Sequence, residues 1–172
     1  MFLIGGDIMK TILFVCTGNT CRSSMAEGFF NDAVKNAQSL SEMYKGESAG
    51  LAAFEGEPAA QHSVNVMKNI WNIDISGHRA RNLDRDMVNR ADLILTMTKG
   101  HKEMIISKFP GSESKVFTLK EFIHGKNPDN GEEGDCNMHD VADPYGMPEQ
   151  VYRKCAEEIK KAVDMLVEKL GT

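Results

Sequence analysis

The chain has 172 residues, 41% of them hydrophobic and 26% charged, which is the composition of one ordinary globular domain. Its formal net charge of -5 argues against a nucleic-acid or anionic-membrane binder, since such proteins carry surplus Lys and Arg. No apolar stretch approaches the roughly 20 residues that a membrane-spanning helix needs.

The four cysteines are too few for a disulfide framework in a chain of this length, and none lies in a Cys/His cluster with zinc spacing. We therefore expect a cytoplasmic protein with free thiols, no metal and no cofactor. Met9 lies directly before the first predicted strand, and the start of the chain lacks the basic segment of a signal peptide. We interpret residues 1–8 as an N-terminal extension and residues 9–172 as a single domain.

The first predicted unit is a strand, a tight loop and a helix. Residues 11–15 form a short apolar, β-branched run that is typical of a strand buried on both faces. After a loop that begins at residue 17, apolar residues recur at helical spacing over residues 25–37.

Further strands and helices alternate along the rest of the chain. The predicted strands are residues 44–50, 92–98 and 116–119, and the predicted helices are residues 59–71, residues 101–109 and a last helix from near Pro148. Residues 125–139 are rich in Gly, Asn, Asp and Pro and are predicted to be a loop. The alternation predicts an α/β fold: a single three-layer domain with a four-stranded parallel sheet and helices on both faces.

The run CTGNTCRS, residues 16–23, carries the predicted chemistry, with five residues between Cys16 and Arg22. It lies where a buried strand is followed by a helix, and helix N-termini present unpaired N–H groups and a partial positive charge. A loop of this length can curl once around a tetrahedral phosphate. Gly18 is expected to allow a positive φ or a close backbone approach, and Asn19 to tolerate the left-handed region.

Within this loop we predict Cys16 as the nucleophile. The N–H groups and the Arg22 charge would stabilise its thiolate, and the guanidinium fork would hold two phosphoryl oxygens. Ser23 is a candidate helix N-cap, and its hydroxyl could also hydrogen-bond the Cys16 sulfur. The alternative is a buried Cys and a surface Arg at a chance spacing, which the strand–helix junction disfavours. The loop is not of the Walker type, so no nucleotide is implied.

A leaving group needs a proton, and Asp143 is the predicted acid. Pro144 favours an extended conformation at Asp143, which suits a side chain projecting from a rigid turn. It would protonate the leaving atom while Cys16 becomes a phosphocysteine, and would then accept a proton from water. Asp140 and Asp135 are weaker candidates, and Asp143 could simply start a turn.

With these motifs the chain resembles the low-molecular-weight protein tyrosine phosphatase family. CTGNTCRS and the later DPYG are similar to the family's signature and acid loop, and SAG, HRAR and ADLILTMT lie between them in the family's order. The resemblance spans nearly the whole chain from Met9. It implies a doubly wound sheet with a phosphate-binding loop after the first strand.

The resemblance also implies roles for individual residues. Asn19 and Ser48 resemble the pair that hydrogen-bonds to hold the loop, and His78 resembles the histidine that supports them. Phe54 lies in the variable loop that walls the substrate cleft. The implied substrate- and phosphate-binding set is Thr17, Gly18, Asn19, Thr20, Cys21, Ser23, Phe54 and Tyr145.

Two positions bear on the substrate. Thr20, where relatives acting on phosphotyrosine commonly have an aliphatic residue, and Gly146, where they often have an aromatic one, resemble the bacterial protein arginine phosphatase branch. The predicted enzyme is therefore a cysteine-dependent protein phosphatase, a hydrolase whose substrate is a phosphorylated protein, with phosphoarginine favoured and phosphotyrosine the alternative. We expect a monomer or a weak dimer.

The remaining cysteines leave two questions open. Cys21 either packs under the loop or forms a disulfide with Cys16 on oxidation. An arsenate reductase on the same fold would need a closely spaced downstream cysteine pair, and the only later cysteines are Cys136 and Cys155. Cys155 falls on the apolar stripe of the last predicted helix, so this third function is disfavoured.

Overall fold

A four-stranded sheet organises the part of the chain that our computed structural model describes, residues 8–125 and 139–172. All neighbouring strands pair in parallel, in the order β2-β1-β3-β4. The strands are β1 (Lys10–Cys16), β2 (Tyr44–Gly50), β3 (Leu93–Thr96) and β4 (Val116–Thr118). The helices are α1 (Arg22–Asn36), α2 (Gln61–Trp71), α3 (Arg85–Arg90), α4 (Lys99–Lys108), α5 (Leu119–His124) and α6 (Glu149–Gly171), with a 3-10 turn at Glu113–Lys115.

Strand β1 shows why helices cover both faces. Its successive side chains point to opposite sides of the sheet. Ile12, Phe14 and Cys16 join a core with apolar residues of α1, α2, α5 and α6. Leu13 and Val15 join a second core formed with α3 and α4. The predicted three-layer α/β fold is confirmed.

Most predicted elements form, with ends set by tertiary contacts. The helix expected from residue 59 begins at Gln61, because Ala60 has a ψ of 136°, outside the helical range, and its N–H donates to the carbonyl of Thr20 (2.8 Å). The strand expected over residues 92–98 is shorter, because the Asp92 carboxylate accepts from the N–H of Thr11 and Thr98 caps α4. The patterns do not predict α3 and α5, since six residues make fewer than two helical turns.

The strand order places a ligand site at one end of the sheet. The chain leaves β1 for β2 on one side and later returns to β3 on the other side of β1. In open α/β sheets, ligands bind in the crevice at the carboxyl end of the strand where this reversal occurs. That end of β1 is Cys16.

Some expectations fall outside the described part. The loop predicted over residues 125–139, with Asp135 and Cys136, lies there except for its two ends, and the proposed extension over residues 1–8 does so except for Ile8. In the described part, no helix combines the length and apolarity needed to cross a membrane.

Candidate active site

A cavity of about 230 Å³ opens at the carboxyl end of β1. The loop that joins β1 to α1 forms its floor, and segments after β2 and before α6 form its walls. Its lining residues are Cys16, Thr17, Gly18, Cys21, Arg22, Ala52, Phe54, Glu57, Asp143 and Tyr145. Of the predicted site residues, Asn19, Thr20, Ser23, Ser48 and His78 lie behind this lining.

The floor loop turns its peptide carbonyls away from the cavity. Five of these carbonyls, from Cys16 to Cys21, accept hydrogen bonds from groups beyond the loop, namely the N–H groups of Leu51, Ala52, Ala60 and Met25 and the imidazole of His78. Among the described residues, no protein group accepts a hydrogen bond from the N–H groups of residues 17–21. A row of unpaired N–H groups at a helix N-terminus makes a concave anion site.

Asn19 determines the curvature of the loop. It is fully buried and has a φ of 57°, in the left-handed region. Its amide nitrogen donates to the hydroxyls of Ser23 and Ser48, each at 2.9 Å, and its amide oxygen accepts from the N–H of Arg81 at 3.1 Å. These three hydrogen bonds hold the Asn19 side chain in place, and so stabilise the one loop residue with a left-handed backbone.

A second layer of polar groups supports Asn19. The Ser48 hydroxyl already accepts from Asn19, and it donates to the Glu27 carboxylate. His78 Nε2 donates to the Asn19 carbonyl at 2.6 Å, and its Nδ1 lies 3.8 Å from Glu27. Arg81 Nε donates to the Ser48 carbonyl at 3.0 Å. No sequence pattern predicted a role for Glu27 or Arg81, although Glu27 follows Ser23 by one helical turn.

The glycine that the loop requires lies in β2. A Cβ atom at Gly50 would stand 2.5 Å from the Thr17 carbonyl oxygen, closer than real Cβ atoms approach such groups, and a tight 3.0 Å from the Asn19 nitrogen. Gly18 does not adopt the positive φ that was one of the two expectations for it, and a Cβ there would meet only the Thr20 hydroxyl, at 3.7 Å. Asn19 supplies the left-handed residue instead.

Cys16 lies at the base of the cavity and is 3% exposed. Its Sγ is 2.9 Å from the hydroxyl of Ser23. Because that hydroxyl oxygen accepts from Asn19, its single proton can point at the sulfur. The expectation that Ser23 is the N-cap is wrong: α1 begins at Arg22, and Cys21 occupies the cap position without a side-chain cap bond.

Arg22 places a buried positive charge beside Cys16. It is 4% exposed, its Nη1 donates to the Val141 carbonyl at 3.0 Å, and its Nη2 is 3.1 Å from an Asp143 oxygen. Within residues 8–125 and 139–172, its buried Nε has no hydrogen-bond partner. A buried donor without a protein partner is energetically costly.

Asp143 reaches the cavity from the turn before α6. Its second oxygen accepts from the N–H of Tyr145 at 3.1 Å, which orients the half-exposed carboxylate. The rival Asp140 accepts from the N–H of Lys99 at 2.7 Å, at the start of α4, and does not line the cavity. The other rival, Asp135, lies outside the described residues.

The outer walls are aromatic and exposed. Phe54 and Tyr145 are 78% and 75% exposed, although both line the cavity. Thr20 is instead 8% exposed, and its hydroxyl lies 3.6 Å from the sulfur of Cys21. The Thr20 side chain therefore packs on the side of the floor loop that faces away from the cavity.

Two further residues, neither of them a predicted site residue, contact the floor. His101 Nε2 lies 2.9 Å from the Thr17 hydroxyl, and burial, reinforced by the nearby Arg22 charge, lowers the pKa of His101 to about 4. The Tyr152 hydroxyl lies 3.5 Å from Cys21, and burial raises the pKa values of both groups. Tyr152 could have been found, since it precedes Cys155 by three residues on the apolar stripe of α6.

Cys155 has the properties of a core residue. It is buried, its Sγ lies 3.7 Å from the Ala142 carbonyl, and burial raises its pKa to about 12. It therefore stays protonated and unreactive. As for metals, the described residues contain no group of three or more His, Cys, Asp or Glu side chains placed to hold an ion.

Comparisons with known proteins agree with this geometry. Residues 11–172 match the family model described as low molecular weight phosphotyrosine protein phosphatase. The chain is 41% identical to a protein-arginine-phosphatase of Geobacillus stearothermophilus, over 94% of this chain and 96% of the relative. It is 35% identical to the probable low molecular weight protein-tyrosine-phosphatase EpsP of Ralstonia nicotianae, over 95% and 97%.

A solved structure shows the same fold. The low molecular weight protein tyrosine phosphatase from T. tengcongensis superposes with a TM-score of 0.80 at 44% identity, covering 93% of this chain and 99% of that one. The match extends over sheet, loop and helices, so the enzyme class as well as the fold is shown: a protein phosphatase, hence a hydrolase. The chain belongs to the low molecular weight phosphotyrosine protein phosphatase family.

Proposed function

We propose that this protein is a cytoplasmic protein arginine phosphatase that acts through a phosphocysteine on Cys16. The observation that carries the chemistry is the floor of the cavity. There the thiol of Cys16 and the buried guanidinium of Arg22 surround one space together with the N–H groups of residues 17–21, which have no acceptor in the part of the protein that the structure describes. Preorganised donors of this kind stabilise the charge that develops on a transferring phosphoryl group.

In the first step the Cys16 thiolate attacks phosphorus. A sulfur–phosphorus bond forms and the bond from phosphorus to the leaving nitrogen breaks, while Arg22 and the loop N–H groups hold the phosphoryl oxygens. The incoming phosphate replaces Asp143 as the partner of Arg22. Released from that ion pair, Asp143 acts in its protonated form: it donates its proton to the leaving nitrogen, and the product departs as an intact guanidinium.

In the second step water attacks the phosphocysteine. The Asp143 carboxylate accepts a proton from that water, the sulfur–phosphorus bond breaks, and inorganic phosphate forms. Cys16 leaves as a thiolate. The proton of the Ser23 hydroxyl, 2.9 Å away, stabilises the departing sulfur.

Three features support phosphoarginine as the substrate. The Geobacillus relative named above is a protein-arginine-phosphatase. Gly146 has a φ of 73°, where a side chain would be strained, so this turn gives the cavity one aromatic wall, Tyr145. Thr20 places a polar hydroxyl rather than an aliphatic side chain behind the floor.

Phosphotyrosine is the second candidate, because the exposed rings of Phe54 and Tyr145 could flank a phenyl ring as well as a planar guanidinium. The Ralstonia relative and the T. tengcongensis structure are both tyrosine phosphatases by name. We propose a phosphorylated protein as the partner and a monomer or weak dimer as the working form. The chemistry needs a free Cys16 thiol, and this supports a reducing compartment.

The test is a pair of assays on one protein phosphorylated either on arginine or on tyrosine, with kcat/KM measured for both. The wild type should favour phosphoarginine by about 10-fold or more, and Thr20→Ile should move the ratio toward phosphotyrosine. Thr20→Ser keeps the hydroxyl and serves as the matched control. A wild type that prefers phosphotyrosine would contradict the substrate assignment. A ratio of the two kcat/KM values that Thr20→Ile leaves unchanged would show that the preference does not depend on Thr20.

A further inference from the structure

Glu57 lines the cavity but has no part in the chemistry proposed above. It ends a four-residue turn that begins at Phe54, and its N–H donates to the Phe54 carbonyl at 3.1 Å. Gly56, the third residue of that turn, has a φ of 82°, as a turn with a left-handed third position requires. The turn therefore presents Phe54 and Glu57 together at the cavity.

The turn is attached firmly to the segment before α3. The N–H of Gly56 donates to the Ala80 carbonyl at 2.8 Å, and the N–H of Ala80 donates to the Glu57 carbonyl at 2.7 Å. The side chain of Glu55 accepts from the N–H of Asn82 at 2.7 Å. With the backbone held on both sides, the position of the Glu57 side chain depends on its own rotamers alone.

Glu57 is a carboxylate of the cavity lining that is not paired with the cation of that lining. The lining contains one cation, Arg22, which pairs with Asp143. In the described part of the chain, the Glu57 carboxylate has no ion-pair partner within 4.0 Å and is exposed to solvent. A second carboxylate next to an anion site repels a phosphate dianion, so it weakens the binding of a substrate that carries only the phosphate charge.

We propose that Glu57 is a specificity-determining residue that pairs with the guanidinium of the substrate arginine. Phosphoarginine carries a positive guanidinium next to its phosphate, whereas the phenyl ring of phosphotyrosine carries no charge. A carboxylate receives a guanidinium through two parallel N–H···O bonds, and the rings of Phe54 and Tyr145 flank its planar face. This inference rests on the proposed phosphoarginine activity.

The experiment compares wild type, Glu57→Gln and Glu55→Gln on three substrates: a phosphoarginine protein, the same protein phosphorylated on tyrosine, and p-nitrophenyl phosphate. Glutamine keeps the shape of Glu57 and removes its charge. Glu55 is the matched control, because it is a carboxylate of the same turn that does not line the cavity, and its amide replacement can still accept from Asn82.

For Glu57→Gln we expect kcat/KM on phosphoarginine to fall about 10-fold, chiefly through KM, as for loss of one charge-assisted hydrogen-bonded pair. On phosphotyrosine and p-nitrophenyl phosphate it should rise by about threefold, since a repelling charge is removed. Glu55→Gln should match wild type on all three. The activity on p-nitrophenyl phosphate also shows that each variant is folded.

The outcomes separate the two claims. If wild type hydrolyses phosphoarginine and Glu57→Gln does so equally well, or loses activity equally on all three substrates, the role of Glu57 is wrong while the proposed function stands. If wild type hydrolyses phosphotyrosine but not phosphoarginine, the proposed function is wrong and the role of Glu57 fails with it.

Discussion

The floor and the rim of the cavity are built in different ways. The floor, residues 16–23, is buried except around Thr17 and Gly18, and its carbonyls and the Asn19 amide are hydrogen-bonded to several distant segments. The rim side chains Phe54, Glu57 and Tyr145 are exposed, and within the described ranges their side chains make no hydrogen bond or ion pair, whereas their backbone turns are hydrogen-bonded.

This difference separates chemistry from selectivity. A floor held by many simultaneous bonds keeps the sulfur, the N–H groups and Arg22 in one arrangement, which phosphoryl transfer needs. A rim held by backbone contacts can change its side chains at little cost to the fold. Substitutions of floor residues that meet the phosphoryl group, such as Cys16 and Arg22, should therefore affect every substrate. Substitutions in the rim, and of Thr20 behind the floor, should affect the choice among substrates.

The largest effect should come from Cys16→Ser. A serine hydroxyl is a far weaker nucleophile and leaving group than a thiolate, so turnover should fall below detection on phosphoarginine, phosphotyrosine and p-nitrophenyl phosphate alike. The anion site should remain. Binding of inorganic phosphate, measured by calorimetry, should stay within about threefold of wild type, and loss of that binding would show that the substitution disturbs the floor rather than the chemistry alone.

Asp143→Asn should lower kcat by about 100-fold on phosphoarginine, because the amide cannot donate the proton that the leaving nitrogen needs. Asp140→Asn is the matched control, since Asp140 meets the N–H of Lys99 rather than the cavity, and an amide oxygen can replace it there. Steady-state kinetics of both variants decide the point. If kcat fell equally in both variants, neither Asp143 nor Asp140 would be identified as the proton donor.

Asn19→Ala should reduce both activity and stability. It removes two buried hydrogen bonds and one partly buried one, and alanine tolerates a φ of 57° less well than asparagine, so the free energy of unfolding should fall by about 3 kcal/mol in urea titrations. Asn19→Gly relieves the backbone strain without restoring the bonds and should recover about 1 kcal/mol. An alanine variant as stable as wild type would show that the floor is not held through Asn19.

The smallest effect concerns pH and His101. Its pKa is about 4 in the fold against an ordinary 6.5, so between these values the unfolded chain binds a proton that the native state does not. Stability should thus fall as pH drops, with His101 contributing a loss of about 2 kcal/mol from about pH 7.5 to about pH 4.5. In His101→Gln, urea titrations should show that much less pH dependence. Identical pH dependence in the two proteins would refute this role.

The fold and the loop were accessible to sequence reasoning because their signals are local. Buried strands such as β1 form unbroken apolar runs, and the nucleophile, the arginine and the helix start all lie in one eight-residue run, residues 16–23. The support of the loop was not accessible in that way. Glu27 and His101 contact the loop and its supporting residues only because the chain packs in three dimensions. No hydrophobic periodicity in the sequence shows which polar side chains are buried.

Gly18 and Gly50 show that the sequence also does not reveal which glycine the backbone packing requires. Gly18 lies in the loop and invites the expectation of a special conformation, yet a Cβ there would make only ordinary contact. The requirement falls on Gly50, because β2 runs beside the loop and brings its end against the Thr17 carbonyl. Close approach between distant segments is a property of the packed sheet.

The most direct test of the account is to capture the intermediate. Wild type mixed with a protein labelled at the phosphoryl group of phosphoarginine is quenched within the first turnover, and the labelled residue is identified by mass spectrometry. We predict label on Cys16 in wild type and more of it in Asp143→Asn if hydrolysis of the intermediate is slowed more than its formation. Normal phosphate release with no label on Cys16 would contradict the account.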